Sequence, residues 1–212
     1  MRTNDLTYGE DYWKTLDGGA GYKDSVMWED LSVIVKELFC YDGVTDIGGS
    51  IHHLDIGCAS GYLTKHLRRR GVDSHGCDLS EYALGQAEEY VQPFVKQWDL
   101  VKNGAIPNWS SVGFNLITCF ETMEHIPEEH VDAVLQEIYD RLDTGGMALF
   151  AICTSDREGW DSDPTHVTIY DWYWWEKKLH ALGFKHDNEK YRRVKTFHLF
   201  ADHGGIFVLS KP

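Results

Sequence analysis

The stretch Ile51-His52-His53-Leu54-Asp55-Ile56-Gly57-Cys58-Ala59-Ser60-Gly61 decides the fold of this chain. An apolar run with an acid near its end (51–56) breaks into two glycines four residues apart, and a helical pattern over 62–70 follows at once. That order reads as a strand, a tight glycine turn and a helix N-terminus. Such a turn lets a ligand approach the backbone closely, because glycine has no Cβ and the first amides of a helix lack partners. The dinucleotide fingerprint, with glycines at its first, third and sixth positions, is absent, since the spacing here is Gly-x-x-x-Gly.

Downstream, 72–77 is a short second strand ending in Asp78, and Ser80 caps a helix that runs to about residue 90. Pro93 precedes a third strand (94–98) ending in Asp99, and a polar loop over 102–111 leads to a fourth (114–120). Pro127, Glu128 and Glu129 start a helix with the apolar stripe Val131, Val134, Leu135, Ile138 and Leu142. Asp143-Thr144-Gly145-Gly146 stops it. The continuously apolar run 147–153 is then a fifth strand, buried on both faces. A polar loop (154–164), a Trp-rich helix (171–182) and two strands within 184–210, separated by 201–205 as a hairpin, complete the chain.

Upstream, Leu31, Ile34, Val35 and Leu38 recur at helical spacing in a helix that begins near residue 24. Residues 1–23 carry Tyr8, Tyr12, Trp13 and Tyr22 without periodicity, as an arm that either closes over a pocket or packs on the sheet edge. Strands alternating with helices predict an α/β fold: a single, doubly wound, Rossmann-like and mostly parallel sheet with an antiparallel C-terminal hairpin.

A chain of 212 residues suits one domain, and 42% hydrophobic with 25% charged residues is an ordinary soluble composition. No apolar run approaches the roughly 18 residues of a membrane span, and the first residues lack a signal core, so a cytoplasmic protein is expected. The five cysteines are scattered, with no zinc-type pairing, and read as buried thiols. A net charge of −14 disfavours adhesion to nucleic acid or anionic membrane. The two basic clusters, 68–70 and 191–195, are short, and the first complements a helix C-terminus.

In open α/β sheets a ligand lies across the carboxyl ends of the strands, where the strand order switches. Here those ends carry Asp55 and Gly57, Asp78, Asp99, and Phe120 with Glu121. Asp78 follows Gly61 by 17 residues, a fitting place for a carboxylate that accepts both hydrogen bonds of a ribose diol. One such acid is as easily a helix cap; three at successive strand ends behind a glycine turn are a site.

The octet 54–61 resembles the first motif of class I methyltransferases that use S-adenosylmethionine. The segment Phe120-Glu121-Thr122-Met123-Glu124-His125-Ile126-Pro127 is similar to the "EVLEHVP" segment of their small-molecule branch, to which the ubiquinone-pathway O-methyltransferases belong. Asp143-Thr144-Gly145-Gly146 resembles the family's "KPGG" turn, whereas Asn115 departs from the aspartate usual near the start of that strand. The likeness covers roughly residues 50–155 and thins on the flanks.

The resemblance implies a class I methyltransferase fold in which Asp55 stands near the cofactor's amino-acid end, and Gly57 and Gly61 leave room for it. Asp78 would hold the ribose, and Asp99 with the Leu100 amide the adenine; Cys58, Leu79, Phe120 and Glu121 would complete the cofactor shell. S-adenosylhomocysteine would be the product. The 1–212 domain would divide into an N-terminal arm and helix as a lid (1–45), a cofactor-binding core (46–155), and a substrate-side loop, helix and closing hairpin (156–212). Tyr22, Trp160 and Tyr170 are the expected acceptor contacts.

Three readings of Glu121, Glu124 and His125 stay open. His125, with His166 nearby in the acceptor-side segment, is a general base. Or Glu121, Glu124, His125 and His166 hold Mg²⁺, as in the small-RNA 2′-O-methyltransferases that the Glu-x-x-Glu-His pattern resembles. Or Glu124 and His125 only shape the loop. His52, His53, His66, His75, His186, His198 and His203 are read as structural. The expected activity is methyl transfer to a small-molecule acceptor at a hydroxyl oxygen. Its rivals are a metal-dependent RNA 2′-O-methyltransferase, a nicotinamide-dependent dehydrogenase and a non-catalytic S-adenosylmethionine-binding protein. The sequence leaves the oligomeric state open.

Overall fold

A computed structural model describes residues 8–15, 22–40, 51–107, 109, 113–155 and 163–212, and for residues 38 and 40 the backbone alone. Trp160 lies outside the described residues, so its expected acceptor contact is not addressed. Among the described residues seven strands form one sheet in the order β3-β2-β1-β4-β5-β7-β6. They are β1 His52–Ile56, β2 Asp73–Asp78, β3 Val95–Gln97, β4 Phe114–Phe120, β5 Leu142–Ala151, β6 Lys185–His186 and β7 Ile206–Ser210. The first five run parallel, and β7 pairs antiparallel with both β5 and β6.

Helices cover both faces. On one side α5 (Glu128–Arg141) and α6 (Trp172–Ala181) bury Val131, Leu135, Ile138, Trp175 and Leu179 against Ile56, Ile117 and Phe150. On the other, α2 (Val26–Cys40), α3 (Tyr62–Arg69), α7 (Asn188–Val194) and α8 (His198–Ala201) bury Leu31, Ile34, Val35, Leu63, Leu67, Val194 and Phe200 against Leu116, Leu149 and Val208. Both faces of the middle strands are thus dry, which is why β4 and β5 lack an alternating pattern.

Two local expectations are corrected. The helix after Ser80, α4 (Glu81–Gly85), stops short of residue 90, because the Gln92 side-chain amide donates to the Leu84 and Ala87 carbonyls and takes over the acceptors that a longer helix would use. The two C-terminal strands are antiparallel as expected, but a helical excursion rather than a short turn joins them. Asp187 caps α7 by accepting from the Lys190 amide, and α8 follows before β7. Among its described residues the arm holds one short helix, α1 (Glu10–Thr15). No helix among the described residues is long and apolar enough to cross a membrane.

Candidate active site

Strand order switches between β1 and β4, and a cleft of about 820 Å³, open mouth included, lies at the carboxyl ends of these strands and of β2. Gly57 forms its floor with φ +74°, and a Cβ there would stand 2.0 Å from Thr122 Oγ1. Glycine is required at this point for both conformation and space. The turn is pinned by the Gly57 and Cys58 amides, which donate to the Cys77 carbonyl at 2.9 and 3.1 Å. Ala59 and Glu121 are also held at positive φ, 48° and 45°, conformations that cost non-glycine residues energy and cluster at functional sites.

Asp55 is buried behind the floor and accepts from Thr118 Oγ1 at 2.7 Å. Burial pushes its carboxyl up to about 7; the threonine hydroxyl opposes this shift and nearby Asp78 adds to it. Thr118 in turn contacts His53 Nε2 at 2.9 Å, and His53 Nδ1 contacts Ser74 Oγ at 2.7 Å, all inside the sheet. Since Thr118 gives its proton to Asp55, His53 Nε2 carries the ring proton and Nδ1 accepts from Ser74. Burial lowers His53 to about 3, so this chain of hydrogen bonds stays neutral and aims one donor at Asp55.

Asp78 lines the cleft and accepts from the Ala59 amide at 2.8 Å and the Ser80 amide at 2.7 Å. Burial raises its carboxyl above the usual range while these amides lower it. Neither Asp55 nor Asp78 has an ion-pair partner among the described residues. Asp99 also lines the cleft, but its Oδ1 caps the next turn by accepting from the Val101 and Lys102 amides.

The opposite wall is built on a 3-10 turn, Met123–His125. Glu124 is fully buried: its Oε1 accepts from the Cys153 amide at 3.0 Å, and its carbonyl accepts from the Val167 and Thr168 amides. It ties the segment after residue 163 to the end of β4. Burial, with Glu121 close by, holds its carboxyl well above the ordinary range. His125 Nδ1 lies 2.9 Å from Thr165 Oγ1, which donates to Asp163 Oδ1 at 2.6 Å. The threonine proton is committed to the aspartate, so His125 Nδ1 is the donor and Nε2 is left with a lone pair. Burial lowers this ring to about 4, helped by His166, whose ring stands 4.8 Å away.

The N-terminal arm closes over this wall. Tyr12 donates to Asp163 Oδ2 at 3.0 Å, Tyr8 meets His125 edge-on at 5.7 Å, and Trp13 Nε1 donates to Ser80 Oγ at 2.9 Å. One short helix thereby bridges the end of β2 and the His125 wall.

Of the residues singled out by sequence, the cleft takes in Gly57, Asp78, Leu79, Asp99, Leu100, Glu121 and His125. Cys58 turns its thiol into the core against Gly76, and Gly61 faces Val91 and Val95. Phe120 points to the other face of the sheet, against Phe200. Tyr22 stacks on Tyr62 beside the glycine turn. Tyr170 lies away from the cleft, stacked on Trp174 with its hydroxyl on Glu128. Donor atoms of Glu124, His125 and His166 come within 4.8 Å of one another, and so do those of Glu121, Glu124 and Cys153. Glu121, however, is bonded to His203, so the expected four-ligand set is not assembled as one cluster. Thr122, Trp98, Asp163 and Thr165 were not foreseen. Only the last two had a sequence signal: Asp-x-Thr is a turn in which the aspartate caps the residue two positions on, as Asp163 Oδ1 does for the Thr165 amide.

Residues 34–198 match the methyltransferase domain family. The chain is 35% identical over 77 residues to the ubiquinone biosynthesis O-methyltransferase of Methylococcus capsulatus, a match covering 35% of this chain and 32% of that protein. It spans less than half the length of the curated relatives it matches. Its fold is similar to that of a sugar N-methyltransferase from Streptoalloteichus (TM-score 0.64, 15% identity, 100% of this chain and 96% of that one). It is also similar to an S-adenosylmethionine-bound amino pentose methyltransferase of calicheamicin biosynthesis from Micromonospora echinaspora (TM-score 0.61, 14% identity, 91% and 93%).

Proposed function

The chain belongs to the methyltransferase domain family, and we propose that it transfers a methyl group from S-adenosylmethionine to a hydroxyl oxygen of a small-molecule acceptor. One observation carries the reading. A cleft floored by a glycine turn is lined at one end by Asp78, with Asp55 buried behind the floor, neither acid having a cationic partner among the described residues, and at the other end by a neutral histidine whose Nε2 is left with a lone pair. The acids fit a cofactor that carries an ammonium, a sulfonium and a ribose diol. When bound, that cofactor supplies an electrophilic methyl group.

In this reading Asp55 holds the ammonium and Asp78 the diol, with Gly57 leaving space beside them and Leu100 lining the adenine end. His125 Nε2 takes the acceptor's hydroxyl proton. Thr165 and Asp163 keep the ring from turning, and the Asp163 charge stabilises the imidazolium that forms. Tyr8 and Tyr12 exclude water from the mouth. The name of the Methylococcus relative supports oxygen as the methylated atom. The acidic surface supports a small acceptor rather than nucleic acid, and the four free thiols buried among the described residues suit the cytoplasm.

A second reading rests on Glu124 Oε2 and His166 Nδ1, both buried without hydrogen-bond partners among the described residues. With His125 they would seat a divalent ion that lowers the acceptor's pKa. Two imidazoles suit a transition ion better than Mg²⁺. The deciding experiment supplies labelled S-adenosylmethionine with a panel of hydroxylated and amino small molecules, with and without EDTA. Methylated hydroxyl products formed in EDTA and lost in His125→Ala support the first reading. Products only from amines would overturn the oxygen assignment, and activity abolished by EDTA and restored by Mn²⁺ would favour the second.

A further inference from the structure

Far from the cleft, at the β6 edge of the sheet, three donors converge that methyl transfer does not use. Glu176 and His180 lie one turn apart on α6, and His186 is on β6. Glu176 Oε1 stands 3.5 Å from His186 Nε2 and 3.9 Å from His180 Nε2, and all three donor atoms are within 4.8 Å of one another. His186 Nε2 is sealed from solvent yet has no hydrogen-bond partner among the described residues. A native buried polar atom left in that state calls for an explanation, an ion among them. The ring itself is fixed, stacked on Trp172 at 5.6 Å and 25° and backed by Phe207.

We propose that Glu176, His180 and His186 bind a divalent transition-metal ion of the Zn²⁺ type, completed by water. Zn²⁺ at about 2.0–2.1 Å from nitrogen and oxygen donors places tetrahedral ligands about 3.3 Å apart. The Glu176–His186 separation is already near that value. The remaining contraction falls to His180, whose side chain is 44% exposed and free to swing. Its exposure also leaves the outer position open to solvent. Two imidazoles with one carboxylate select Zn²⁺ and its neighbours over Mg²⁺ or Ca²⁺. The ion would act as a staple: β6 is two residues long and, among the described residues, pairs only with β7, so a bond from its His186 to α6 holds the edge where the ladder is too short to do so.

The site is independent of the methyl-transfer reading, and the test separates it from the Glu124, His125 and His166 group. The untagged 212-residue chain, stripped with a chelator, is titrated with ZnCl₂ by calorimetry and melted with and without the ion. The expected result is a one-to-one site and a rise in Tm of about 5 °C or more at a hundredfold excess over Kd. His180→Ala, a change at an exposed ring, should lose both while leaving S-adenosylhomocysteine binding intact, and His125→Ala should keep both. No binding, binding that survives His180→Ala, or binding lost in His125→Ala overturns the assignment.

Discussion

The two ends of the cleft are built differently. The β1–β2 end comes from one continuous stretch, residues 55–80. There a glycine turn and two strand-end acids are held by backbone amides and by a hydrogen-bond chain inside the sheet. The His125 end is assembled from three distant segments, residues 8–13, 121–127 and 163–168, locked by side chains. A site made locally tolerates little change in its backbone, whereas one made from distant parts depends on particular side-chain partners. This division predicts that cofactor binding and turnover respond to separate sets of substitutions.

The largest expected effect is on turnover. His125→Ala should lower kcat by about 10²–10⁴-fold, the usual weight of a general base, and leave the Kd for S-adenosylhomocysteine within twofold. Equal losses in both would break the division. Next comes Gly57→Ala, which forces an alanine into positive φ and onto Thr122 and should cost about 3 kcal/mol in urea unfolding. Adding Thr122→Ala should return the steric part only; full recovery would mean that the backbone conformation carries no strain.

Asp78→Asn should weaken S-adenosylhomocysteine about 10- to 100-fold, the worth of a charge-assisted hydrogen bond, with kcat at saturating cofactor near wild type. Smallest is the pH effect at Asp55. Its folded pKa is raised to about 7, so it is protonated below that pH and ionised above it, and affinity for an ammonium-bearing ligand should climb as pH rises from 6 to 8. Thr118→Val removes the hydrogen bond that opposes the rise in pKa, so the climb should move to higher pH. A flat profile in both proteins would remove Asp55 from the ammonium site. His125, lowered to about 4, titrates well below this window and does not blur it.

The contrast also explains what could be read in the sequence. The places of Asp55, Gly57 and Asp78 at the strand ends and the glycine turn were legible because strand, turn and cap signals lie within a few residues of them. The face of Phe120 was not: β4 is apolar on both sides, so nothing in its pattern says which side chain enters the cleft. His125 was visible as a residue type, but its partners Thr165 and Asp163 stand about forty positions on. They are brought back by Glu124, whose buried carbonyl accepts from the Val167 and Thr168 amides while its side chain is anchored on the Cys153 amide. The helix α7 was hidden by its length, since seven residues make too few turns for a convincing period.

The most direct test is calorimetric titration of the full chain with S-adenosylhomocysteine, with and without EDTA. Binding at one site per chain, indifferent to EDTA, weakened in Asp78→Asn and unchanged in His125→Ala, is the predicted result. No binding to the wild-type chain under either condition would contradict the assignment of the β1–β2 end as the cofactor site, and the proposed activity with it.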